Sequence, residues 1–214
     1  MNLVFLGPAG SGKGTQAKRL EADFGVSQIS TGDLLRNAVR EGTELGKKAE
    51  PLMREGRLVP DELVIGLIEE RLREEGVGQG ILFDGFPRTL PQAKALEEAL
   101  ARLGHGIDKV ISLEVPEEIL VDRVTGRWSC PVCGTVYHTR TKPPREQGKC
   151  DVEGAELVQR SDDTPEKLEK RLEVFRTEIP QVKDYYREQG RLAEIDGVGD
   201  PDTVYDRIKR ALES

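Results

Sequence analysis

Gly7-Pro8-Ala9-Gly10-Ser11-Gly12-Lys13-Gly14-Thr15 follows the apolar run Asn2–Leu6 and opens a helical pattern from about Lys13 to Phe24. Strand, glycine loop, lysine and helix in that order specify a phosphate-binding turn. The glycines let the backbone curl until successive N–H groups point inward as an anion nest, with a helix N-terminus behind them. Lys13 adds a positive charge able to follow phosphoryl oxygens. An ordinary glycine-rich turn would account for the glycines alone, not for the strand, spacing and lysine together. Gly10, Ser11, Gly12, Lys13, Gly14 and Thr15 are the candidate phosphate contacts. One departure from the general pattern stands out: the hydroxyl that usually follows the lysine is displaced one place, with Gly14 before Thr15.

Outward from the loop, short apolar runs alternate with amphipathic helices, the pattern of a parallel sheet covered on both faces. The expected strands are Asn2–Leu6, Val26–Ser30, Gly80–Phe83, Val110–Val115 and Leu192–Ile195. Helices are expected at Asp61–Glu74, Pro91–Leu103, Glu117–Val124 behind Pro116, Pro165–Gln189 and Pro201–Leu212. Two stretches break the rhythm. Thr31–Val59 is helical without a strand. Gly126–Asp163 is polar, holds Pro143-Pro144 and all three cysteines, and suggests short strands. The expected organisation is one core (1–29, 60–125 and 164–214) carrying a helical lobe at 30–59 and a lid at 126–163.

A chain of 214 residues suffices for one α/β core with small inserts. The net charge of −7 argues against a nucleic-acid or membrane-surface binder, which needs a basic face. A local arginine cluster can still hold a small anion in an acidic protein. No apolar run approaches the ~20 residues of a membrane span, and Met1–Leu6 has no basic leader, so a cytoplasmic location is expected.

Cys130-x2-Cys133 and Cys150 stand at zinc-ribbon spacing, with Glu153 where a fourth ligand would fall. Asp151 and His138 are the weaker substitutes. A structural Zn2+ would pin a lobe too small to build its own core. An unmetallated lobe and a Cys130–Cys133 redox pair are the alternatives.

The Gly-Lys-Gly-Thr ending of the loop resembles the nucleoside monophosphate kinases. Separated motifs carry the resemblance across nearly the whole chain, to the adenylate kinases with a long, metal-bearing lid. Ser30-Thr31-Gly32-Asp33-Leu34-Leu35-Arg36 is similar to the family's first AMP segment, with Thr31 and Arg36 as contacts; Thr31 or Asp33 would equally suit a helix cap. Gly56-Arg57-Leu58-Val59-Pro60, with Met53 alongside, resembles the adenine-holding segment. Asp84-Gly85-Phe86-Pro87-Arg88 is the second diagnostic match. It implies Gly85, Phe86, Pro87 and Arg88 at the AMP site, Asp84 in the outer shell of Mg2+, and Gln92 reading the adenine edge. Arg123, Arg127, Arg160 and Arg171 resemble the lid arginines, Arg123 and Arg127 facing ATP, Arg160 and Arg171 nearer the transferring group and the AMP side. Asp162 and Asp163 would orient them, or Asp163 would cap the next helix. Val136, Tyr137 and Gly199 would lie near the ATP base.

The resemblance implies a P-loop NTPase-type five-stranded parallel sheet with a helical AMP-binding insert and a zinc-ribbon-like lid. It implies transfer of the terminal phosphoryl group of MgATP to AMP, giving ADP, by a monomer without nucleic-acid or membrane partners. Lys13, Arg88, Arg123, Arg160 and Arg171 would be its catalytic charges. A UMP/CMP kinase, a GTP-using kinase, and a nucleotide sensor without transfer are the other readings of the same motifs.

Overall fold

The computed structural model describes residues 1–76 and 78–213, the side chain of Glu75 excepted; Val77 and Ser214, inside the expected core bounds, lie outside the described residues. Five strands form its centre: β1 (Leu3–Leu6), β2 (Ser27–Ser30), β3 (Ile81–Asp84), β4 (Lys109–Glu114) and, late in the chain, β7 (Leu192–Asp196). They pair in the order β2-β3-β1-β4-β7, all parallel. Every residue of β1 is buried, as expected of a strand with both faces covered.

Alternation along the strands sorts the core into two layers. Leu3 and Phe5 face one side with Leu82, Ile111 and Leu113, packed by α1 (Lys13–Phe24) and α8 (Pro201–Leu212). Val4, Leu6, Ile29 and Phe83 face the other, under α4 (Asp61–Glu75), α5 (Leu90–Arg102) and α7 (Pro165–Glu188). From β1 the chain builds first toward β3 and β2, then crosses back to β4 and β7. Ligands of such sheets bind outside the carboxyl ends of the strands at this reversal, where residues 7–12 and 85–89 meet.

The predicted elements all form, with shifted ends. Asn2 stays outside the strand because its side chain clamps the edge instead: Oδ1 accepts from Ile81 N (3.1 Å) and Nδ2 donates to Gly106 O (2.9 Å). Pro116 caps α6 (Glu117–Thr125) from outside the first turn. Neither Thr31 nor Asp33 caps α2 (Thr31–Glu41); Ser30 Oγ does, accepting from Asp33 N at 3.3 Å. Thr164, not Asp163, caps α7.

The helical stretch after β2 folds as α2 and α3 (Glu44–Arg54), an antiparallel pair turned at Gly42-Thr43. Between α6 and α7 lie β5 (Arg127–Ser129) and β6 (Val136–His138), antiparallel, with Trp128 opposite Tyr137. No helix among the described residues is long and apolar enough to cross a membrane.

Candidate active site

The glycine loop starts where β1 ends, and Gly12 forms the entry to α1 at φ +100°, a conformation that disfavours a side chain. At Gly10, with φ +84°, a Cβ would lie 2.8 Å from Val124 Cγ2 and 3.3 Å from Leu120 O, so the loop rests directly on α6. The hydroxyl of Ser11 is buried and finds no protein partner, an orphaned polar atom inside the nest. Lys13 Nζ turns back onto the loop carbonyls of Gly7 (2.7 Å) and Pro8 (2.9 Å). Burial brings its pKa down to about 8; Asp84 resists that, and Arg88, Arg171 and Arg127 add to it. Gly14 and Thr15 are exposed at the mouth, and a Cβ on Gly14 would lie 3.8 Å from Asp84 Oδ2.

Across the mouth stands a cluster of guanidinium groups. Arg123 reaches Gly10 O (3.4 Å) and Gly197 O (3.4 Å), linking the loop to the turn after β7. Arg127 forks onto Asp163, Nε to Oδ2 at 2.8 Å and Nη2 to Oδ1 at 2.5 Å. Arg171 pairs with Asp162 at 2.9 Å, and Arg160 approaches Asp33 on α2 at 3.7 Å. Arg88 Nε donates to Gly85 O at 2.8 Å. Burial, with Arg171 beside it, lowers Arg88 to about 10; burial, with Arg36 and Arg127 near, lowers Arg160 to about 10. Burial opposes ionisation of Asp162, but Arg171, Arg36, Arg127 and Arg160 outweigh it and hold its carboxyl below the ordinary range. Cations crowd this space beyond what its carboxylates neutralise. That is the electrostatic signature of a polyanion site.

Between α2–α3 and the end of β3 lies a cavity that Thr31, Arg36, Met53, Arg57, Leu58 and Val59 line on one side, and Gly85, Arg88, Gln92 and Arg171 on the other. The motifs separated in sequence are thus brought together. Thr31 is buried and its hydroxyl donates to Gly85 O at 3.0 Å. Arg36 is held by Asp33 at 2.6 Å, and Arg57 is exposed beside Glu55. Phe86 does not face the cavity; it is 1% exposed and packs into the core. Pro87 lines an adjoining cavity that runs from the glycine loop to Val174, Phe175 and Ile179 of α7. These three, and Val64 in the first cavity, are lining residues that sequence reading missed. Their helical spacing marks them as core-facing and says nothing of a cavity.

A family profile described as "Adenylate kinase" matches residues 5–191. The chain is 52% identical over 213 residues to an adenylate kinase of Archaeoglobus fulgidus, covering 100% of this chain and 98% of that protein. It is 47% identical over 213 residues to adenylate kinases of Carboxydothermus hydrogenoformans (100% of each chain) and Oceanobacillus iheyensis (100% of this chain, 99% of that one). The chain belongs to the adenylate kinase family. It is an enzyme that transfers a phosphoryl group between ATP and AMP, and the other readings of its motifs are not favoured.

Between α6 and α7, the sulfurs of Cys130, Cys133 and Cys150 lie within 4.8 Å of one another, Cys133 and Cys150 at 3.6 Å. The Tyr137 hydroxyl's bond to Cys150, opposed by burial and aided by the backbone N–H groups of Glu153 and Val152, brings that thiol down to about 6. Three cysteine sulfurs gathered at this spacing fit a structural zinc ion, which binds them as thiolates. Glu153 is exposed, and its carboxylate is not in the 4.8 Å group. Its backbone is informative, however. Cys130 N donates to Thr135 O and Gly134 N to Cys130 O (2.9 and 3.1 Å); Cys150 N donates to Ala155 O and Gly154 N to Cys150 O (2.8 and 2.9 Å). Gly134 and Gly154 share φ near +65°. Two copies of one turn face each other, and Glu153 holds in the second the place of Cys133 in the first.

The substitutes are otherwise employed. Asp151 Oδ1 accepts from Arg145 N (2.8 Å); His138 Nε2 meets Asp122 O (3.0 Å), and its Nδ1 accepts from Arg140 N and Thr141 N (both 3.2 Å). Tyr137 turns its buried side chain into the cysteine cluster, where its hydroxyl is satisfied by Asp151 N (2.7 Å) and Cys150 Sγ (3.5 Å). Val136 is half-buried on β6, and Gly199 is exposed with φ +133°.

Proposed function

We propose that the transfer is carried by Lys13, Arg88, Arg123, Arg127, Arg160 and Arg171, arranged around a MgATP donor and an AMP acceptor. The observation behind this reading is the gathering of buried cations at the loop mouth: burial first, and neighbouring guanidinium groups second, lower Lys13, Arg88 and Arg160, a cost that bound phosphates would offset. The donor phosphates would sit on the N–H groups of residues 10–15, with Ser11 Oγ among their partners. AMP would take the cavity between α2–α3 and β3, its phosphate between Arg36 and Arg88, its base beside Gln92. Phosphoryl transfer demands alignment and spread charge more than covalent help. No general base is needed, since the AMP phosphate is already an anionic nucleophile.

Mg2+ arrives with ATP and neutralises its phosphate oxygens; Asp84, at the end of β3 and facing Gly14, is suited to its outer shell. The segments 30–59 and 126–163 act as lobes that close over the two nucleotides and shut out water. Cys130, Cys133 and Cys150, with Glu153 as the fourth ligand, would hold a zinc ion that would fix the fold of the second lobe without joining the chemistry. The protein works as a monomer in the cytoplasm, in adenine-nucleotide homeostasis.

Incubation with MgATP and a panel of nucleoside monophosphates, followed by ADP formation, tests the assignment. AMP should be the fastest acceptor. CMP or UMP outrunning it would overturn the acceptor. Metal analysis of the purified protein should give close to one zinc per chain; a value near zero would remove the zinc site.

A further inference from the structure

Gln92 is 2% exposed and lines the cavity given to the acceptor nucleotide. Its side-chain amide is held from both ends. Oε1 accepts from the main-chain N–H of Arg88 at 2.8 Å, and Nε2 donates to Asp61 Oδ1 at 2.6 Å. An amide can be turned by half a revolution with little change in shape, so the sense in which it lies is set by its partners. Here neither partner is ambiguous: a main-chain N–H only donates, and a carboxylate only accepts. The reversed amide would set NH2 against N–H and carbonyl oxygen against carboxylate, two buried mismatches.

Asp61 is itself fixed. It is the first residue of α4, and its other oxygen, Oδ2, accepts from Thr89 Oγ1 at 2.8 Å. That hydroxyl caps α5 by accepting from Gln92 N at 3.3 Å. Asp61, Thr89 and Gln92 thus form a closed circuit joining the starts of two helices.

What remains of the amide is one N–H and one oxygen lone pair, in a defined order. Adenine offers the matching order, an acceptor at N1 beside the donor N6–H2. Hypoxanthine and guanine offer the opposite, N1–H beside the O6 acceptor, and would need the reversed amide. We propose that Asp61 is a positioning residue for acceptor specificity: it holds Gln92 in the sense that accepts 6-aminopurines and refuses 6-oxopurines. The proposal rests on the reading that Gln92 faces the acceptor base.

The test is kcat/KM for AMP and IMP, which differ only at this edge, with saturating MgATP. Asp61→Ser keeps a polar partner that donates or accepts with equal ease, and Asp61→Ala leaves room for water, which does the same. Both should cut the AMP/IMP ratio about tenfold or more, the size of one bidentate base contact, with KM for MgATP unchanged. If both variants lose AMP and IMP turnover in equal proportion, Asp61 is only a structural support and the proposal fails. Gln92→Ala separates the two layers. Should it alter the ratio while the Asp61 variants do not, Gln92 reads the base without Asp61. Should it leave the ratio untouched, Gln92 does not read the base, and both readings fall.

Discussion

Arg40, on the outer face of α2, donates a 3.2 Å hydrogen bond to the carbonyl of Pro131, inside the first cysteine turn of the lobe opposite. From the other side of the cleft, Lys18 on α1 donates to Cys133 O at 3.3 Å. Two cations from two different elements therefore rest on the backbone of the same cysteine turn. Both side chains are exposed, so each contact is weak alone and screened by salt. Replacing both with alanine should raise KM for MgATP and AMP by a few-fold, and the effect should shrink at high ionic strength. A salt-independent loss would show that the residues act otherwise.

At the base of that lobe, Arg127 and Asp163 form a buried fork, with side chains 14% and 0% exposed. Asp163→Ala leaves a guanidinium buried and unpaired. Breaking such a pair costs about 3–5 kcal/mol, a melting point lower by roughly 10 °C for a chain of this size. Differential scanning calorimetry measures it. An unchanged melting point would mean that solvent already reaches Arg127.

The pH behaviour of Lys13 has a definite sign. Its pKa in the folded protein, about 8, lies below the ordinary 10.5, so the unfolded chain binds more protons between those values. From this group, stability rises with pH through the window from about 8 to 10.5, and the full penalty of the buried charge is present below it. Lys13→Met should therefore leave the ligand-free protein at pH 7 at least as stable as the parent, while kcat falls about a hundredfold or more. Calorimetric titration of the parent with MgATP near pH 9 should show proton uptake, as the phosphates restore the charge. Proton release would contradict the sign.

For the metal, Cys150→Ser should abolish zinc binding and destabilise the lobe, read as loss of its far-ultraviolet signal or as early proteolysis within 126–163. Glu153→Ala should lower affinity about 10- to 100-fold while retaining some metal. Equal zinc affinity in parent and Glu153→Ala would exclude the carboxylate from the site.

Much of this molecule is legible in its sequence, because the information is of the kind a sequence carries. Buried strands such as Leu3–Leu6 announce themselves by uninterrupted apolar residues, and the glycine loop by residue types few other structures require. Three things escaped. Ser30, Thr31 and Asp33 are all chemically fit to cap α2, and only the backbone entry angle selects Ser30. Phe86 and Phe175 are both large and apolar, yet one fills the core and the other lines a cavity; hydrophobicity is the same on either side of that boundary. Tyr137 sits on β6, a three-residue strand too short to reveal its inward face, so its turn into the thiol cluster was not readable.

The paired turns of the cysteine lobe have a further consequence. Since residues 130–135 and 150–155 share the same turn hydrogen bonds, Glu153 stands in the second turn where Cys133 stands in the first, and in the proposed metal site the side chains at these positions would be interchangeable parts. Glu153→Cys would place a fourth thiol on the same turn that already carries Cys133 in the first copy. Hard or soft donors could therefore be installed at that position, and the choice of metal retuned, while the architecture of the lobe stands.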